Sequence, residues 1–202
     1  MEFLPAAPAI ESDAELGARW LHQNDVRTLI DLRTLGEREG DGFMAASEHL
    51  DSLHRGLLDE VWSWEAENAA EDDWFLRDRT LEMYERFPDR IAQVLRDIAA
   101  APANVLFHCT AGKDRTGMVA ALLLSLAGVP RSDIVHDYAI SARYLEPMMR
   151  ISPQMATMAR QNPKIIALRG SPAESIEAFL DALVAGRSAG RSCVAIASVR
   201  VF

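Results

Sequence analysis

Apolar residues along this chain come in two kinds of run, one spaced as a helix face and the other continuous. Ser12 and Glu15 make a capping-box pair ahead of a helix carrying Leu16, Trp20 and Leu21. The run VRTLIDL follows and, rich in strand formers, predicts a strand. RTLGEREGDGF, with Gly36, Gly40 and Gly42, reads as a loop. Further on, Pro88 suits the first turn of a helix in which Ile91, Val94, Leu95 and Ile98 share a face, and AAAPAN ends it. VLFH is short and apolar, as a strand buried on both faces of a parallel sheet should be. A polar loop then leads into a helix with almost no polar face, closing at Gly128 with Pro130 just beyond.

Beyond Ser132 the pattern stays helical, first through Ile134, Val135 and Tyr138. Later, Ser171 and Glu174 cap a helix bearing Ile176, Phe179, Leu180 and Leu183. Helix, strand, loop and helix in this order predict an α/β fold: a central, mostly parallel sheet flanked by helices, with extra helices at the C-terminal end. No internal repeat is present, and one domain over residues 1–202 is expected. From about residue 187 the tail is atypical, an edge strand or a disordered end: no acid follows Asp181, while Arg187, Arg191 and Arg200 do.

Between Leu57 and Leu76 there is no Lys or Arg, but seven acids and three tryptophans, Trp62, Trp64 and Trp74. A solvated acidic flank with its aromatics packed on the body is the plain reading, and a flap beside an active site the sharper one. The formal net charge of −9 provides no global positive field, which argues against nucleic acid and anionic membranes as partners. An anionic substrate must therefore be captured locally. The first residues, MEFLPAAPAIESD, lack a signal-peptide pattern, two cysteines make no disulfide framework, and the apolar run Met118–Val129 is too short to span a bilayer. A cytoplasmic protein without membrane insertion is the expectation.

The chemistry concentrates in HCTAGKDRTG, residues 108–117. Cys109 stands where a strand ends and a helix is about to begin, the place at which open α/β sheets hold ligands. Thr110, Ala111, Gly112, Lys113 and Asp114 bend the chain back, and the small Ala111 and Gly112 permit a curl whose N–H groups converge on a tetrahedral oxyanion. Arg115 closes the curl with a planar fork suited to two phosphate oxygens. The positive surroundings and the helix N-terminus favour the thiolate of Cys109, a nucleophile directly beneath the anion. Thr116 can donate its hydroxyl hydrogen to that sulfur. GK suggests a nucleotide-binding P-loop, but Phe107 occupies its first glycine position and Asp114 its Ser/Thr position.

This segment resembles the Cys-x5-Arg loop of the protein tyrosine phosphatase superfamily, and its GKDRTG form resembles the bacterial and fungal branch of tyrosine and dual-specificity phosphatases. TLIDLRTLGERE is similar to that branch's Asp-Leu-Arg strand end with a downstream glutamate, and the match continues through GMVAALLLSLAGVPRSDIVHDYAIS. The branch's opening segment rich in Arg, Asp, Leu and Gly has no counterpart before the first helix, and the tail replaces its helical end. The resemblance implies a phosphatase-like fold and a cysteine-dependent phosphate monoester hydrolase working through a phosphocysteine. Phosphotyrosine proteins are the implied substrates, with dual-specificity or phosphoinositide activity as an extension, and no cofactor is implied.

On this reading Cys109 is the nucleophile, Arg115 binds the equatorial oxygens, and Thr110, Ala111, Gly112, Lys113 and Thr116 line the phosphate site. Lys113 is expected at the pocket rim. The proton donor is Asp114, preferred over Asp72 or Asp73 beside Trp74. His108 supports the loop through its backbone, and Asp31 and Arg33, with Glu37, contact loop or substrate or brace the loop as a salt bridge. His22, His49, His54 and His136 are scattered without metal-ligand spacing, and no metal site is expected. Cys193 reads as an incidental thiol, and Met148, Met149, Met155 and Met158 as packing or lid residues. A catalytically silent phosphate-binding module and a sulfurtransferase-like thiol enzyme are the alternatives; the first needs no nucleophile or acid, and GKDRTG disfavours the second.

Overall fold

The computed structural model describes residues 14–41, 50–60, 75–151 and 172–188. In chain order the described elements are α1 (Ala14–Gln23), β1 (Val26–Asp31), α2 (Leu35–Asp41), β2 (Asp51–His54), α3 (Phe75–Arg86), α4 (Pro88–Ala100), β3 (Asn104–His108), α5 (Asp114–Leu126), α6 (Arg131–Ile151) and α7 (Ala173–Ser188). Ser12, His49, the tryptophan-bearing acidic stretch with Asp72 and Asp73, Met155, Met158, Ser171 and the tail with Cys193 lie outside the described residues.

The strands form a sheet of order β2-β1-β3, parallel throughout, as the continuous apolar strand pattern predicts. β1 is central, with Ile30 wholly buried. Leu21, Val26, Leu29, Leu50 and Leu106 make one apolar cluster, with Trp20 packed against it. The register sets Asp31 beside both His54 and His108, so the three strands end level with one another.

The chain divides into two compact units. The first contains α1, β1, α2, β2, α4, β3 and α5 up to Val119. In it Pro88 opens α4, and Ile91, Ala92, Val94 and Leu95 are its buried residues. Ion pairs Arg55–Asp97 (2.5 Å) and Arg90–Asp59 (2.5 Å) tie α4 to the segment after β2. The second unit contains α3, the rest of α5, α6 and α7. There α7 packs on α3 and α6, with Tyr84 and Phe179 edge-to-face at 5.3 Å and Arg131 paired to Asp181 at 2.6 Å.

α5 is buried from Met118 to Leu123, which accounts for its lack of a polar face. It ends at Gly128, whose φ of 77° is the left-handed cap geometry, with Val129 N donating to Leu124 O at 3.0 Å.

One segment departs from the sequence reading. The stretch expected to be a loop because of its glycines contains α2. Thr34 N donates to Glu37 Oε2 at 2.8 Å and Glu37 N to Thr34 Oγ1 at 3.2 Å, a reciprocal capping box that starts the helix.

Candidate active site

β3 runs out at His108, and residues 109–113 bend before α5 begins at Asp114. The bend needs a left-handed residue, supplied by Gly112 at φ 67°. Cys109 is buried at the foot of the loop, 3 % exposed, while Thr110 and Ala111 are exposed. Thr116, in the first turn of α5, donates its hydroxyl hydrogen to Cys109 Sγ over 3.3 Å. His108 Nδ1 donates to Cys109 O at 3.1 Å, since a carbonyl can only accept.

Arg115 is buried and held end-on by Glu37 of α2: Nη1 donates to Oε2 and Nη2 to Oε1, both at 2.6 Å. Thr110 Oγ1 donates to Glu37 Oε1 at 2.5 Å. Glu37 thus accepts from Thr34, Thr110 and both ends of the Arg115 fork. Burial works against its charge, but the hydrogen bonds and charge of Arg115, with those of Thr110 and Thr34, prevail and lower its pKa to about 2. Burial likewise opposes the charge of Arg115, and Glu37 together with the charges of Cys109 and Asp114 drives its pKa up instead.

Asp31 and Arg33 are almost wholly buried and bind each other. Asp31 Oδ1 accepts from Arg33 N (3.0 Å) and Nε (3.1 Å), and Oδ2 from Arg33 Nη2 (3.0 Å) and Arg38 Nε (3.1 Å). His108 Nε2 lies 4.0 Å from Asp31 Oδ1. Burial raises the pKa of Asp31, but the Arg33 hydrogen bonds, with the charges of His108 and Arg33, outweigh it and leave it below the usual value.

Lys113 is not at the rim. It is 4 % exposed, and its Nζ stands 3.3 Å from Asp114 Oδ1, a partner that offsets the cost of burying the ammonium. Asp114 is partly exposed at the head of α5, where the helix dipole favours an acid.

Cys109, Thr110, Asp114, Arg115 and Thr116 therefore meet around one loop, and Glu37 joins them from α2 through Thr110 and Arg115. The sequence names Glu37 as the glutamate downstream of Asp31 and Arg33, and the Thr34-x-x-Glu37 spacing, read there as loop, is what places its carboxylate at a helix start. A buried sulfur with a hydroxyl donor, a fixed guanidinium and a helix N-terminus suits a tetrahedral oxyanion. Among the described residues no group of His, Cys, Asp and Glu is placed to hold a metal ion. None of the described helices is long and apolar enough to cross a membrane.

The chain is 62% identical over 65 residues to a tyrosine-protein phosphatase of Nostoc commune, covering 32% of this chain and 22% of that one. It is 45% identical over 60 residues to the triple specificity protein phosphatase PtpB of Mycobacterium tuberculosis, covering 27% and 22%. Each match thus spans about a fifth of the relative's own length. The model of the tyrosine phosphatase family matches residues 9–187, taking in nearly every element described above, and the chain belongs to that family.

Proposed function

We propose that the chain hydrolyses phosphate monoesters, phosphotyrosine among them, through a phosphocysteine at Cys109. The observation that carries this reading is the convergence on one loop of a buried sulfur, Thr116 Oγ1 at 3.3 Å from it, and the Arg115 fork clamped by Glu37.

In the first step Cys109 Sγ attacks phosphorus. The S–P bond forms as the P–O bond to the leaving group breaks, and Asp114 gives that oxygen its proton. In the second, water attacks phosphorus, Asp114 takes back a proton, and the S–P electron pair returns to sulfur, where the Thr116 hydroxyl stabilises the departing thiolate. A guanidinium has five N–H groups, and Glu37 engages one at each end of the Nη1/Nη2 pair. The Nε side of the fork is assigned to two equatorial phosphoryl oxygens, which it can bind without releasing Glu37. Charge is stabilised by groups already fixed before substrate arrives, the dominant contribution in phosphoryl transfer.

The triple specificity in the name of the Mycobacterium relative motivates testing a wider substrate range, including phosphoserine, phosphothreonine and phosphoinositides. Initial rates on such a panel test the reading. Hydrolysis of phosphotyrosine peptide that disappears in Cys109→Ser supports it; no hydrolysis of any member contradicts it.

A further inference from the structure

We infer that His54 is a positioning residue for Arg115, acting through the Arg33–Thr34 peptide group and the Glu37 carboxylate. The argument rests on the phosphatase reading only for the role of Arg115 in holding the oxyanion.

His54 ends β2, level with Asp31 in the sheet. Its Nε2 lies 2.8 Å from Arg33 O, and because a carbonyl only accepts, Nε2 carries the proton and donates. The other end of that same peptide group is Thr34 N–H, which donates to Glu37 Oε2 at 2.8 Å. Glu37 Oε2 is also the oxygen that receives Arg115 Nη1 at 2.6 Å. A peptide group is planar and stiff, so a tilt at its carbonyl end moves its N–H end. Donation to the oxygen also polarises the N–H and strengthens its bond to Glu37. Imidazole, peptide, carboxylate and guanidinium form one connected chain.

The segment from His54 to Leu57 holds three successive carbonyls of the β1 exit. Arg55 N donates to Asp31 O at 2.8 Å and Leu57 N to Leu32 O at 3.2 Å. Those two are backbone bonds open to most residues. The third, to Arg33 O, is made by the His54 side chain. Gly56 bears on the same atom: a Cβ there would stand 3.0 Å from Arg33 O and 3.2 Å from His54 Nε2. Any larger residue at position 56 pushes on the carbonyl that His54 holds.

The test is a double-mutant cycle read by tungstate affinity, by kcat and KM on p-nitrophenyl phosphate, and by thermal unfolding. His54→Leu, His54→Gln and Gly56→Ala are each made alone and with Glu37→Gln. His54→Leu should weaken tungstate binding and lower kcat by about tenfold, with KM changed less, and add less than about twofold once Glu37 is already Gln. His54→Gln should recover to within about twofold of the unsubstituted chain, its amide nitrogen reaching the place of Nε2. Should His54→Leu not fold, Gly56→Ala takes its place in the cycle. Equal losses in both backgrounds, a His54→Gln variant as poor as His54→Leu, unchanged tungstate affinity, or unfolding of both His54→Leu and Gly56→Ala would each overturn the assignment. A chain that binds tungstate but hydrolyses no ester contradicts the phosphatase reading instead, and the binding arm of the cycle still decides the role of His54.

Discussion

Replacing Glu37 by Gln keeps the shape of the side chain and removes half of its accepting capacity. Oε2 takes Thr34 N and Arg115 Nη1, and Oε1 takes Thr110 Oγ1 and Arg115 Nη2. Whichever way an amide turns, its NH2 faces one of the two guanidinium donors. The folded protein lowers the pKa of Glu37 from 4.5 to about 2. That difference corresponds to about 3 kcal/mol of folded-state preference for the carboxylate. The folded value is the depressed one, so the stabilisation is complete above the ordinary carboxylate range and lost as the pH falls toward about 2. At neutral pH the variant should melt about 6–12 °C below the parent chain, and the gap should narrow below about pH 4.5. Since the fork also loses its anchor, kcat/KM on p-nitrophenyl phosphate should fall roughly 10- to 100-fold. Calorimetric melting over a pH series, with kinetics at neutral pH, checks both. Melting within about 2 °C and kcat/KM within about threefold of the parent would refute the clamp.

Arg115→Lys replaces a fork by a point charge and should lower kcat/KM by well over about tenfold; a smaller loss removes Arg115 from the phosphate site. Asp114→Asn should cost about a hundredfold with phenyl phosphate and much less with an ester carrying a very good leaving group. Equal losses on the two, or the leaving-group dependence appearing in Asp72→Asn or Asp73→Asn, would move the acid elsewhere. Gly112→Ala, at φ 67°, should destabilise the protein by about 1 kcal/mol or more and lower vanadate affinity; a neutral result in urea unfolding and inhibition assays would show that the bend is not required.

The loop and its flanks are legible in the sequence because their signals are local. VLFH marks the strand β3, although only Leu106 of its apolar residues is fully buried and β3 pairs on one side alone among the described strands; Gly112 marks the bend, and Gly128 with Pro130 the end of α5. β2 gives no such signal, being four half-buried or exposed residues, DSLH, at the sheet edge. α2 is hidden by its glycines, although the Thr34 and Glu37 pairing that starts it is a four-residue pattern. Lys113 looks like a rim cation by charge alone, whereas a neighbouring carboxylate lets its ammonium be buried. Glu37 on Arg115 spans 78 residues of sequence and His54 on Arg33 spans 21. Such contacts depend on which strands are neighbours and in what register, and spacing along the chain does not encode that.

The central claim is a covalent bond between Cys109 and phosphorus, and rapid acid quenching during turnover, followed by mass spectrometry of the peptide containing residue 109, tests it most directly. The account predicts a single phosphoryl group on Cys109, accumulating further when Thr116→Ala slows the second step and absent in Cys109→Ser. Full turnover with no phosphoryl group on this peptide, or sustained hydrolysis by Cys109→Ser, would contradict it.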